Sequence, residues 1–209
     1  VITGAAGGIG RAMAQRFAKE GMKLMLADIE QPTLDNTAKE LRENGATVSV
    51  VQMNVAKESE VADLAGRTVT RYGGVHILCN NAGVGSAPRA TWEQSISDWN
   101  WVMGANLWSV VYGIHHFVPI MIRQNEECHV INTASIAGLI AAPGIGPYTA
   151  SKQAVVSISE TLLQDLAVLC DGDLRRALNA LEVIVLGLPE QATLSAGDIE
   201  VFARERRIR

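Results

Sequence analysis

Tyr148 and Lys152 stand four residues apart in the run Tyr148-Thr149-Ala150-Ser151-Lys152. On a helix that spacing puts both side chains on one face, where they can act on one small molecule. A free phenol has a pKa of about 10 and is a poor base at neutral pH, but an ammonium held beside it stabilises the phenolate and lowers that value. The pair can therefore exchange a proton with an oxygen of a bound substrate. Tyr and Lys also fall four apart by chance in many helices, so Ser135 adds weight. It follows Asn132-Thr133-Ala134, just past an apolar run, and a hydroxyl at the C-terminal edge of a strand can donate to a carbonyl oxygen in the same crevice.

A second chemistry lies at the start of the chain. Thr3-Gly4-Ala5-Ala6-Gly7-Gly8-Ile9-Gly10 sits where a strand passes into a helix. Glycines there allow a tight turn and close approach of backbone to a pyrophosphate, and the helix N-terminus offers unpaired N–H groups and partial positive charge. The other reading of these glycines is packing alone. Gly10 is followed by Arg11 and Ala12, not by Lys-Ser or Lys-Thr, which excludes a P-loop and its triphosphate chemistry. Asp28 stands eighteen residues after Gly10, close to the spacing of about 20 for an acidic group that accepts from an adenosine ribose. A carboxylate there repels a 2′-phosphate, and Ala5, Ala6 and Gly7 supply no cation to hold one. NAD is therefore favoured over NADP, with a cap of a turn as the alternative role for Asp28.

These residues need a scaffold that brings them together. Short apolar runs at Val1–Thr3, Lys23–Asp28, Thr47–Gln52, His76–Cys79 and Cys128–Thr133 read as strands. They alternate with segments of helical period at Gly8–Glu20, Pro32–Asn44, Val61–Tyr72, Ser97–Arg123 and Pro147–Cys170, the pattern of βαβ units in a parallel sheet. Pro119 is expected to end or kink its helix. Beyond Asp171 the pattern weakens to a helix over Asp173–Leu181, a strand over Glu182–Leu186 and an amphipathic helix over Thr193–Arg207. The 209 residues read as one α/β domain, irregular from about residue 171.

The combination resembles the short-chain dehydrogenase/reductase family over positions 1 to about 170. It rests on the T-G-x-x-x-G-x-G run at Thr3 to Gly10, Asn-Asn-Ala-Gly at Asn80 to Gly83, Asn106, Ser135, and Tyr148 with Lys152. The resemblance implies a doubly wound Rossmann fold and hydride transfer between NAD(H) and an alcohol or ketone. It implies that Tyr148 is the general acid/base, that Ser135 orients the substrate oxygen, and that Lys152 also bonds the nicotinamide ribose. Asn106 would hold a water relaying protons to the lysine. Gly4, Gly8, Ile9 and Gly10 would face the cofactor. Asn81, Ala82 and Gly83 would line its adenosine side or form a strand-ending turn, and Asn54 with Val55 would meet adenine, the Asn54 amide oxygen accepting. A homodimer or homotetramer through the helices at 97–123 and 147–170 is also implied. The family's Pro-Gly segment after strand six meets Gly187-Leu188-Pro189 here, and no seventh strand is evident. The rival class is a sensor or scaffold that binds NAD without turnover.

Composition narrows the rest. A net charge of −4 leaves no basic excess for nucleic acid, and the arginines of 204–209 read as a solvated tail. Cys79, Cys128 and Cys170 form no pair or motif, which suits a reducing compartment. No run reaches the roughly 18 apolar residues of a membrane span, so the cytoplasm is expected. His76, His115, His116 and His129 show no metal-ligand spacing, and His115 and His116 are expected on different sides of a helix. Trp92, Trp99, Trp101 and Trp108 could touch substrate, but core or subunit contacts are expected of them.

Overall fold

The computed structural model describes residues 1–169 and the backbone of 181–184. Six strands, β1 (Ile2–Thr3), β2 (Leu24–Asp28), β3 (Val48–Gln52), β4 (Ile77–Asn80), β5 (His129–Thr133) and β6 (Leu181–Ile184), form one sheet in the order β3-β2-β1-β4-β5-β6. Every pairing is parallel. The helices are α1 (Gly8–Lys19), α2 (Gln31–Glu43), α3 (Glu58–Tyr72), α4 (Ile96–Met103), α5 (Ser109–Gln124) and α6 (Gly146–Leu169).

Alternation along each strand sorts the core into two layers. Ile2, Leu26, Cys79 and Ile131 face α1 and α2, packing on Ala14, Leu34 and Leu41. Met25, Ala27, Leu78 and Val130 face the other side and meet Leu64 of α3, Phe117 of α5 and Leu162 of α6. Both faces are covered, which is why β2 is apolar almost throughout rather than alternating. The chain winds outward from β1 to β3, crosses back, and winds the other way from β4 to β6. That reversal opens a crevice at the carboxyl ends of β1 and β4.

Several expectations shift. Helix α3 starts at Glu58, three residues before the apolar periodicity begins, because Glu58 and Glu60 in its first turn complement the helix dipole. Of the two outcomes expected at Pro119, an end or a kink, the end does not occur: α5 continues to Gln124. Pro119 and His115 are both exposed, so the carbonyl that loses its amide partner meets water. The single helix expected over 97–123 is three pieces: α4, a π-helical turn at Gly104–Trp108, and α5. α4 starts on a capping box, Ser95 Oγ accepting from Asp98 N at 3.0 Å while the Asp98 carboxylate accepts from Ser95 N at 3.1 Å. Strand β6 begins one residue before the expected Glu182. The helices read over 173–181 and 193–207, Cys170 and the terminal arginines lie outside the described residues, apart from Leu181. Cys79 and Cys128 are buried without a disulfide. Among the described residues no helix is long and apolar enough to cross a membrane.

Candidate active site

A cavity of about 750 Å³ occupies the crevice, with Gly4, Gly7, Ile9 and Asp28 on its wall together with Thr133, Tyr148 and Lys152. The β1–α1 turn is tight for a steric reason. Gly4 has φ +65°, and a Cβ there would lie 2.9 Å from the Ala82 Cα; one on Gly10 would lie 2.1 Å from the Gly4 carbonyl oxygen. Only glycine lets the first turn of α1 close onto β1 in this way. Helix α1 starts at Gly8, and its N-cap, Gly7, provides no side-chain cap. The first-turn N–H groups are therefore not shielded by a capping side chain, which suits them to a phosphate.

Asp28 caps the neighbouring turns and also borders the cavity. One carboxylate oxygen accepts from Ala6 N at 2.9 Å and the other from Glu30 N at 3.1 Å, and each keeps a further lone pair. Both roles weighed for this residue are thus compatible with the geometry. Asn54 also lines the cavity while closing a turn. Its Oδ1 accepts from Ala56 N at 2.9 Å, closing an Asx turn, so the oxygen expected for adenine already holds one bond and has one lone pair over. Val55 lines the cavity beside it.

The Asn-Asn-Ala-Gly run ties the sheet to the turn. Asn81 Nδ2 donates to the Thr3 carbonyl at 3.0 Å, and the Asn81 and Ala82 amides donate to Thr3 Oγ1 at 3.0 and 3.1 Å. Behind them, Asn80 Nδ2 donates to Asn132 Oδ1 at 2.8 Å, and Asn132 Nδ2 to Ser159 Oγ at 2.9 Å, so a buried polar chain runs from β4 through β5 to α6. These groups are paired side by side, as buried amides must be.

Lys152 is 4% exposed. Its Nζ donates to the Thr133 carbonyl at 2.7 Å and lies 5.8 Å from the Tyr148 ring centroid. Burial pulls the ammonium down from its ordinary 10.5 to about 8. Asn106 sits in the π-helical turn, 1% exposed. Its Oδ1 accepts from Val84 N at 2.7 Å, while Nδ2 donates to the Val84 carbonyl and to Ser151 Oγ, both at 3.0 Å. Ser151 in turn donates to the Tyr148 carbonyl at 2.7 Å. The Asn106 side chain is therefore spent on fixing the β4 loop to α6 at Ser151.

The short chain dehydrogenase family model matches residues 1–169. This chain belongs to that family. It is similar to the CLA biosynthesis dehydrogenase/reductase of Lactiplantibacillus plantarum, 41% identical over 165 residues, with 79% of this chain and 57% of that protein covered. It is 34% identical over 180 residues to the 1-deoxy-11-beta-hydroxypentalenate dehydrogenase of Streptomyces exfoliatus, covering 82% and 66%. The chain thus spans less than two thirds of the length of these relatives. A crystal structure of a short chain dehydrogenase/reductase from Burkholderia phymatum in complex with NAD superposes with a TM-score of 0.80 at 39% identity, over 99% of this chain and 76% of that one.

Among the expected site residues, Gly4, Ile9, Asp28, Asn54, Val55, Asn81, Ala82, Gly83, Tyr148 and Lys152 line the cavity. Gly8, Gly10, Asn106 and Ser135 do not. Gly10 and Asn106 lie buried behind the wall, Gly8 is exposed outside it, and Ser135 is 3% exposed with Oγ accepting from Ala137 N at 3.2 Å. Ser151, the link between Asn106 and Tyr148, escaped sequence reading, since a helical serine ordinarily bonds a carbonyl one turn back. Trp101 also differs from expectation, because it lines the cavity with its side half exposed, whereas Trp92 is 86% exposed and Trp108 stacks on Tyr112 at 5.9 Å. The His115 and His116 rings do not diverge: they meet edge to face, centroids 4.8 Å apart.

Proposed function

We propose that this chain is an oxidoreductase domain that moves a hydride between NAD(H) and a secondary alcohol or ketone. The observation that carries this reading is the buried Lys152 ammonium beside the Tyr148 ring, on the wall of a cavity that also holds the glycine turn and Asp28. The fit to a dinucleotide rests on three features: the α1 start without a side-chain cap, the carboxylate at the end of β2, and the close approach of Gly4 to Ala82. Gly4 and Ile9 would meet the pyrophosphate, Asp28 the adenosine ribose, and Asn54, Val55 and Ala82 the adenine side. When bound, NAD accepts or supplies the hydride.

The protein's part is alignment and proton transfer. Tyr148 takes a proton from an alcohol or gives one to a ketone oxygen, and the Lys152 ammonium stabilises the negative charge that develops on the phenol oxygen as the proton leaves. Thr133, through its carbonyl, fixes where that ammonium sits. Ser135, the group the resemblance implies for orienting the substrate oxygen, lies buried off the cavity wall with Oγ accepting from Ala137 N, and no step is routed through it. Asn106 acts by holding Val84 and Ser151, so a relay water would be held by its main chain. Oxidation of a panel of secondary alcohols, followed by NADH absorbance, tests the proposal; an absence of turnover with every alcohol and in reduction of the matching ketones overturns it.

Cofactor choice follows from charge. A hydrogen bond to a charged group contributes about 1.5–3 kcal/mol, roughly 10- to 150-fold, and the Asp28 carboxylate would give that to a ribose hydroxyl while repelling a 2′-phosphate. Asp28→Ser should lower the NAD-over-NADP ratio of kcat/KM by roughly that factor. An unchanged ratio would assign Asp28 to turn capping alone. We also propose self-association through α5 and α6, where Ile122 and Val168 are exposed, together with Trp108 just before α5; a monomer in sedimentation at micromolar concentration contradicts it.

A further inference from the structure

We infer that Glu58, His115 and His116 form a binding site for a zinc-like divalent transition-metal ion that ties α3 to α5. This site is independent of the proposed oxidoreductase reading, and none of the three residues lines the cavity.

Glu58 is the first residue of α3, and the two histidines lie in the middle of α5, which packs beside it on the same face of the sheet. One ligand atom from each residue falls within 4.8 Å of the other two. His116 Nε2 is closed off from solvent and makes no hydrogen bond, although a Glu58 carboxylate oxygen lies 3.3 Å away. That separation without hydrogen-bond geometry is what a shared ion would produce. With metal–ligand bonds of about 2.0–2.1 Å, the edge of a tetrahedron is about 3.4 Å. A small rotation of the exposed His115 ring brings the third donor in, and the exposed side leaves a fourth position for water.

The donor set chooses the metal. Two imidazoles and one carboxylate suit zinc, copper or nickel, whereas magnesium and calcium prefer oxygen donors throughout. Lys57, next to Glu58, is engaged with Glu60 at 2.8 Å, so its ammonium does not compete for the Glu58 carboxylate.

The test is calorimetric titration of chelator-treated protein with zinc chloride, beside visible spectra of the cobalt(II) form. The parent should bind one equivalent with a dissociation constant of micromolar or below, show the d–d bands of cobalt in a four- or five-coordinate site, and melt at a higher temperature with zinc. Glu58→Gln with His116→Gln should weaken binding at least tenfold and remove the thermal shift. His76→Gln, which breaks the separate exposed pair of His76 with Glu126, should change neither. No saturable binding, binding undiminished in the double variant, or loss on His76→Gln instead would overturn the site. If the double variant does not fold, His115→Gln, at an exposed position, carries the same comparison, with undiminished binding again the overturning result.

Discussion

Tyr148→Phe is expected to lower kcat/KM for oxidation of a secondary alcohol by about 10²–10⁴-fold, the usual contribution of a positioned general acid or base, and to leave NAD affinity unchanged. The ring that packs against the Lys152 ammonium survives the change, so the cation–π contact at 5.8 Å survives with it, and the fold has no cause to shift. What is lost is one hydroxyl. Pairing the rate with a fluorescence titration of NADH separates three cases. Binding kept and turnover lost assigns the proton to Tyr148. Full turnover in the variant removes Tyr148 from the chemistry. Binding without turnover in parent and variant alike makes the chain a sensor of the dinucleotide.

A residue's role is legible in the sequence when its neighbours along the chain set that role. The glycine turn, Asp28 and the Tyr148–Lys152 spacing are local: each rests on a strand end or on one helical turn, and each lies on one cavity wall. The sheet is legible for the same reason, since apolar runs and helical periods alternate along the chain. The parts that are not legible depend on backbone meeting backbone across long separations. The Thr133 carbonyl that receives Lys152 carries no side-chain signature. The π-helical turn of Gly104–Trp108 carries Asn106, and such single-turn bulges cluster at functional sites. Yet hydrophobic periodicity reads across it as one helix. Ser151 gains meaning only from Asn106 lying against it, and the convergence of His115 with His116 arises from side-chain rotation that helix geometry alone does not give.

Lys152→Met should separate stability from chemistry. Removing a preorganised charge from the site where negative charge develops costs about 10²–10³-fold in rate, so kcat/KM should fall by that factor. Stability should move differently. The folded protein holds the ammonium at about 8 against an ordinary 10.5, so between those values the unfolded chain binds more protons. The parent therefore gains stability as pH rises from about 8 to about 10.5, and below about 8 it carries a constant penalty of about 3 kcal/mol. Methionine of similar length removes that penalty but leaves the Thr133 carbonyl without its donor, a loss of about 1–3 kcal/mol. At pH 7 the variant should equal or exceed the parent in urea unfolding, by up to about 2 kcal/mol, and by pH 10.5 it should be the less stable protein. A deficit of the same size at both pH values would mean that burial does not strain this ammonium. A change of sign would mean that the fold sustains a costly buried cation beside Tyr148 at neutral pH, which a purely structural lysine has no reason to be.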